Sequence, residues 1–454
     1  MTVAVLGGGI TGLTAAWKLT EAGHGVRLFE AAPRVGGSVQ TEAVGGWTIE
    51  AGPNSLQEDS PEIRSWLDAL GLGAERIEAA PTARNRYIAA RGRLVAFPSP
   101  SSPLQFLSTP LLSLRGKLGV LCELTHRRRV RPDDLSLGDF IRDHFGNEVL
   151  ERLVQPFVSG IYAGDPERLS ARHAFPRAWE AEKNAGSLIR AGAASARRRR
   201  ELGLAPSPAL VSFRRGLQAL PGALAARLSP ESILLNASVH AVEASSEGRW
   251  LVHWGGPDGA RSQDFEAVVA ALPAQSLSRL EIGRRGTPPL SLLGEIEHPP
   301  VASVFVGFRR DQVRHPLDGF GALVPAAEKR SILGVLFNSS LFPERAPAGH
   351  VALTVFAGGA LQPEMACLEQ GALLDRVLGD LRSLLGTEGE PAFVRCTLWP
   401  RAIPQYPLGF GRMLEAMAEC ERNHPGLFIG GSVRDGISLP DCMRSGASLA
   451  MRVS

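Results

Sequence analysis

Four glycines, Gly7, Gly8, Gly9 and Gly12, stand directly behind a short apolar run, Val3–Leu6, and ahead of a stretch, Leu13–Thr20, that reads as a helix. Strand, Gly-x-Gly-x-x-Gly, helix is the order that binding a dinucleotide pyrophosphate requires. Gly7 permits the tight turn, Gly9 lets the backbone reach the pyrophosphate, and Gly12 lets helix and strand pack closely. Gly8, Ile10 and Thr11 complete the loop, and the helix N-terminus turns its amides and dipole towards the phosphates. A second strand, Val26–Phe29, ends in Glu30, about 20 residues beyond the fingerprint, where a carboxylate takes a ribose hydroxyl. No His/Asp pair or paired carboxylates stand out as a general acid and base. The ten histidines show no HxxxH spacing, so neither a catalytic side chain nor a metal site is expected.

These residues need elements to carry them. Ser238–Glu243, Trp250–Trp254 and Ala267–Pro273 alternate like strands of a small sheet. Gly426–Gly431 reads as a strand and a glycine turn, and Asp435–Asp441 leads into a helix, Cys442–Val453. Val304–Phe308, Ile332–Phe337 and Val351–Phe356 are buried-strand candidates of a second sheet, to which residues near 85–98 also belong. Leu104–Leu124 and Leu135–Val158 have helical spacing. The first is followed by the basic run His126–Arg129, and Arg197–Arg200 precedes a proline-containing loop. An apolar stretch flanked by arginines suits either a packed amphipathic helix or an anionic membrane surface.

A chain of 454 residues implies two or three domains, and 44% hydrophobic with 21% charged residues is the profile of a globular protein. A net charge of +3 gives no sign of nucleic-acid binding. Only Lys18, Lys117, Lys183 and Lys329 of the 49 basic residues are lysines. Five scattered cysteines without a CxxC pair argue for a reducing compartment. With no cleavable leader and no long apolar run, a cytoplasmic protein is expected, with or without peripheral membrane contact.

Arg34-Val-Gly36-Gly37-Ser38 resembles the Arg-x-Gly-Gly element of flavin amine oxidases, and Glu50-Ala-Gly52-Pro53-Asn54-Ser55 resembles a turn near their flavin. The resemblance implies FAD. It also implies that Val239 touches the adenine and that Gly431 and Leu439 approach the flavin from the C-terminal segment. Asn85-Arg86-Tyr87, Ser159–Asp165, Gly319–Pro325, Phe342–Pro347 and Ile403–Gly409 narrow the likeness. The chain is similar, nearly end to end, to the oxygen-dependent protoporphyrinogen oxidases and the related bacterial coproporphyrinogen III oxidases.

This resemblance implies an α/β (α+β overall) fold. A Rossmann-like FAD-binding domain is expected from 1–84, 206–274 and 420–454, a mixed-sheet substrate domain from 85–98 and 275–419, and an inserted helical, potentially membrane-facing domain from 99–205. The cofactor residues so implied are Gly7, Gly8, Gly9, Ile10, Thr11, Gly12, Glu30, Ala31, Arg34, Gly36, Gly37, Ser38, Gly52, Pro53, Asn54, Val239, Gly431 and Leu439. Arg86 would take a substrate propionate. The carbonyl of Gly160 would face the pyrrole N–H groups, and Phe320, Leu323 and Phe356 would sandwich the macrocycle. The implied reaction is a six-electron oxidation of protoporphyrinogen IX in haem biosynthesis, with chemistry at flavin N5 and O2 as acceptor. Coproporphyrinogen III is the alternative, because Pro440-Asp441-Cys442 is closer to that branch. Homodimerisation stays open. An amine oxidase, a carotenoid desaturase and an idle flavin-binding partner are the competing readings. Only three tyrosines, Tyr87, Tyr162 and Tyr406, are present for an amine oxidase's aromatic cage.

Overall fold

The computed structural model describes residues 1–83, 85–98, 102–128, 131–201, 203, 208–245, 248–257, 259–284 and 286–454. Arg129 of the basic run, the loop at 204–207 and the expected boundary residues 84, 99 and 205 lie outside the described residues.

Val3–Leu6 is fully buried, as a strand covered on both faces must be. The strand Thr2–Leu6 pairs in parallel with Gly25–Phe29 on one side and Ala267–Ala270 on the other. Ile233–Leu234 and Leu427–Ile429 complete a five-stranded parallel sheet. The segment Ala267–Pro273 was expected in the small sheet, and its strand, Ala267–Ala270, belongs here instead. Its four residues are all buried, the mark of a central parallel strand rather than a one-sided one. The separate small sheet consists of Ser238–Ala244, Trp250–Gly256, Gly259–Phe265 and Glu281–Gly283.

Helix Ile10–Glu21 lies against the C-terminal helix Leu439–Val453. The latter starts three residues earlier than expected, because Ser438 caps it by accepting from the Asp441 amide at 3.2 Å. The two helices touch closely at Gly446, where a Cβ would stand 2.4 Å from the Thr11 carbonyl oxygen.

A second, seven-stranded sheet runs in the order 393–399, 301–309, 350–358, 334–336, 319–323, 85–90, 93–96. One face is covered by helix Gln370–Leu385. Its Leu373, Val377, Leu381, Leu384 and Leu385 recur at helical spacing and meet Val304, Val306, Leu353 and Val355. Burying each such side chain stabilises by roughly 1.5–3 kcal/mol. Gly386, at φ +62, ends that helix.

Between residues 103 and 201 the described chain is helical. The expected stretch Leu104–Leu124 divides into Pro103–Ser108 and Leu114–Glu123, the second capped by Ser113. Leu135–Val158 divides into Leu137–Phe145, a short turn, a π-helical segment Leu150–Val154, and Gln155–Tyr162.

Candidate active site

The glycine loop is held by its own backbone. Gly7 N donates to Phe29 O at 2.8 Å, and Gly36 N donates to Gly8 O at 2.8 Å. Glu30 accepts from Gly8 N at 2.7 Å and from Ala32 N at 2.8 Å, so its carboxylate sits against the loop. Any side chain at Gly12 would put Cβ 1.9 Å from Gly7 O, whereas a Cβ at Gly9 would meet nothing within 4 Å. The Gly9 position is therefore open to a ligand. No side chain caps the helix that starts at Ile10, which leaves the first-turn amides of Ile10, Thr11 and Gly12 facing that opening. An uncapped helix start, an open glycine and a nearby carboxylate fit the pyrophosphate and ribose of FAD.

Gly36, at φ +109, and Gly37, at φ +57, curl the next loop so that Gly37 approaches Gly9. Arg34 donates to the carbonyls of Val35, Val39 and Gly37 and to Gln40 Oε1. It holds the loop in shape. Ala31 and Ser38 are exposed. Gly52 packs so closely on Ser38 that a Cβ would lie 2.1 Å from its carbonyl oxygen. Half-buried Pro53 and buried Asn54 follow, and Asn54 donates to Gly52 O at 3.0 Å. Ala237 N donates to Glu30 O at 2.9 Å, which brings half-buried Val239 beside the second strand. Gly431 meets Thr11 within 3.5–3.7 Å of its Cβ position, and Leu439 opens the last helix, half-buried. The expected cofactor residues thus come from both ends of the chain.

The opposite face of the seven-stranded sheet carries the other candidates. Leu323 pairs with Gly334, and Gly334 pairs with Phe356, so the two large side chains share one cross-strand row with a glycine between them. Gly321, at φ +152, pairs with Arg86 in the adjacent row. Both glycines are buried, and the strip between the two large side chains, bare of side chains there, is called the trough. Phe320 is the extra residue of a bulge between Gly319 and Gly321, which turns it under Arg86, with the guanidinium 5.8 Å from the ring centre. Phe320, Leu323 and Phe356 are half-buried among buried neighbours. Gly160, on helix Gln155–Tyr162, meets this face: a Cβ there would lie 2.4 Å from Leu323 Cδ2.

Strand alternation explains the Asn-Arg-Tyr element. Asn85 and Tyr87 point away from Arg86 and both hold Asp318, Asn85 Nδ2 at 3.0 Å and Tyr87 OH at 2.5 Å. Burial, then Asp318, pushes the Tyr87 phenol up to about 12. Arg86 is exposed and makes no ion pair with any described residue.

Three connectors were not foreseen. Asn338 Nδ2 donates to Asn54 Oδ1 at 2.7 Å, and Phe337 N donates to Phe320 O at 3.0 Å, which ties the cofactor turn to the trough strand. Trp399 Nε1 donates to Ala51 O at 2.7 Å. Arg345, 1% exposed, lies 3.6 Å from buried Glu50 and donates to Ser212 Oγ and Phe213 O. Burial pushes the Glu50 carboxyl up, against the pull of Thr41 and Leu217, and pulls the Arg345 guanidinium down. The partners of each connector lie far away in sequence. Only the presence of Glu50 and Arg345 inside two family-like elements hinted at a role for that pair.

Residues 10–454 match the family described as flavin containing amine oxidoreductase. The mitochondrial protoporphyrinogen oxidase of Nicotiana tabacum is 33% identical over 480 residues, covering 99% of this chain and 94% of that protein. The coproporphyrinogen III oxidase of Bacillus subtilis (strain 168) is 29% identical, over 98% of this chain and 96% of that protein. A solved structure from Exiguobacterium sp. 255-15, provisionally described as a protoporphyrinogen oxidase, superposes with a TM-score of 0.82 at 26% identity, over 100% of this chain and 98% of that one.

Proposed function

The chain belongs to the flavin-containing amine oxidoreductase family, and from that premise we propose that it oxidises protoporphyrinogen IX to protoporphyrin IX, with O2 as the final acceptor. The observation that carries the reading is the glycine-floored trough between Leu323 and Phe356, with one exposed arginine at its side. An apolar slot with a cationic fork beside it suits a flat-going ring that carries carboxylates.

Bound FAD supplies a two-electron acceptor, so a six-electron oxidation needs three turnovers. The chain's residues do the rest. Arg86 orients a propionate through paired N–H donors. Leu323, Phe320 and Phe356 exclude water from the ring faces, and the Gly160 carbonyl accepts a pyrrole N–H. No side chain serves as a dedicated base, and the pyrrole proton leaves to solvent. The cofactor residues named above act as one cradle, and the expected division into FAD-binding, substrate and helical domains is part of the same proposal.

Coproporphyrinogen III is the second reading, favoured by Pro440 ahead of Asp441-Cys442. Paired initial rates on the two porphyrinogens, followed by porphyrin fluorescence in air, test both. A large preference for protoporphyrinogen is expected. A reversed preference moves the assignment to the second reading, and no rate on either ends the proposal.

The helical segment also carries an apolar surface: Leu104 and Leu114 are each 79% exposed, with Leu107, Leu118, Leu121 and Leu124 exposed beside them. No described helix is long and apolar enough to cross a membrane. We propose that these leucines rest on a bilayer. Flotation with anionic vesicles should carry the wild type upward and leave L114D/L118D behind. Wild-type protein that stays in the dense fraction refutes the contact.

A further inference from the structure

A buried polar knot joins the helices between 103 and 201, away from the flavin cradle. His144 lies on helix Leu137–Phe145, and His126 lies just past helix Leu114–Glu123. Their rings stack with centroids 4.3 Å apart. Each ring has one nitrogen engaged: His144 Nδ1 faces Glu123 Oε1 at 3.0 Å, and His126 Nδ1 faces the Gly186 carbonyl oxygen at 3.2 Å. Both partners are acceptors, so both Nδ1 atoms carry the hydrogen. In the neutral rings each Nε2 is then a bare lone pair.

Both Nε2 atoms are buried without a hydrogen-bond partner, and the side chains are 0% and 9% exposed for His144 and His126. What they face makes this costly. His144 Nε2 lies 3.4 Å from Glu182 Oε1, and His126 Nε2 lies 3.7 Å from Asp143 Oδ2. A lone pair aimed at a carboxylate oxygen is repulsive unless a cation stands between them. Donor atoms of His126, His144 and Glu182 all fall within 4.8 Å of one another.

We propose that this knot is a structural site for a divalent transition metal of the Zn2+ class, ligated by His126 Nε2, His144 Nε2 and Glu182, with a water in the fourth position. A tetrahedral zinc with bonds of ~2.0–2.2 Å separates its ligand atoms by roughly 3.3 Å. The observed 3.4 Å between His144 Nε2 and Glu182 Oε1 is already near that edge length. The outer shell is in place as well. Glu123 and the Gly186 carbonyl fix both imidazoles, as the acceptors behind metal-bound histidines do. Arg131 donates to both oxygens of Glu182 at 2.8 Å and to Asp143 at 2.6 Å, and so orients the carboxylates.

The metal would pin three helices. Glu123 extends the clamp to a fourth by accepting from Ser187 Oγ at 2.7 Å and from the Leu188 amide at 2.5 Å, at the start of helix Leu188–Glu201. The ligands are too far apart in sequence to form a spacing motif, which is why the histidine pattern gave no sign of them.

The test uses full-length, FAD-loaded protein, stripped with chelator, desalted and titrated with Zn2+ or Co2+. About one equivalent of Zn2+ per chain is expected to survive gel filtration, with a raised melting temperature and, for Co2+, the visible absorption of a tetrahedral complex. H126Q, at the rim, should lose all three signals while keeping its flavin, and H240Q, at an exposed histidine elsewhere, should keep them. Should H126Q misfold, the wild-type Co2+ spectrum and an H144N variant decide. Wild-type protein that binds no Zn2+ at micromolar concentration, or stoichiometric binding that persists in both histidine variants, overturns the site. In the first case protons on the imidazoles neutralise the cluster.

Discussion

The Arg86 guanidinium, exposed on its strand, lies 5.8 Å from the centre of the Phe320 ring. Removing it takes away a charge-assisted hydrogen-bond pair of about 1.5–3 kcal/mol. R86A should therefore raise KM roughly tenfold to a hundredfold with a smaller change in kcat. R86K should recover little, because a lysine is a point charge and not a fork. Equal loss in kcat and in kcat/KM would contradict a purely positioning role. Gly160 offers a cleaner test. Its missing Cβ would collide with Leu323 Cδ2, the movable end of a side chain. G160A should fold and keep flavin but push Leu323 into the trough and weaken substrate binding. L323A should restore binding in the G160A background, and coupling in that double-mutant cycle measures the contact. Gly7–Gly12 and Glu30 could be read from sequence because strand, turn and helix fix their spacing locally. Asn338, Trp399 and Arg345 could not, because each finds its partner across the fold.

The helices Ile10–Glu21 and Leu439–Val453 touch where Gly446 has no side chain. G446A places a methyl group against the Thr11 carbonyl and the Thr14 Cβ, neither of which is free to swing aside. A cost of about 1–3 kcal/mol is expected for such overpacking, seen as a lower urea midpoint together with loss of retained flavin. G379A, on helix Gln370–Leu385 with nothing within 4 Å of its Cβ position, is the control and should be neutral or more stable. If G446A behaves like G379A, the close crossing does not matter. The sequence foresaw the existence of these elements better than their company. Ala267–Ala270 was read as a strand but assigned to the wrong sheet, since a short apolar run does not name its neighbours. The bulge that turns Phe320 under Arg86 was invisible, because one extra residue leaves the apolar pattern of Gly319–Leu323 unchanged.

All three tyrosines hold their protons more tightly than a free phenol. Burial, then Asp318, takes Tyr87 to about 12, burial and Asp441 take Tyr162 to about 12, and burial raises Tyr406 furthest. A raised phenol pKa means that the folded state keeps a proton the unfolded chain would release. That stability is whole below pH 10 and is lost as pH rises through about 12. Alkaline absorbance titration should show almost no tyrosinate until the protein unfolds, and the release should then be abrupt. Smooth ionisation near pH 10 in folded protein would contradict the burial of these rings. The cradle formed by Thr11 and Gly431 has a further consequence, in time rather than space. Its first wall leaves the ribosome long before its second, residues 431–453. A nascent chain therefore carries its phosphate loop uncovered while the intervening residues are made, and can seal FAD in place only after helix Leu439–Val453 emerges.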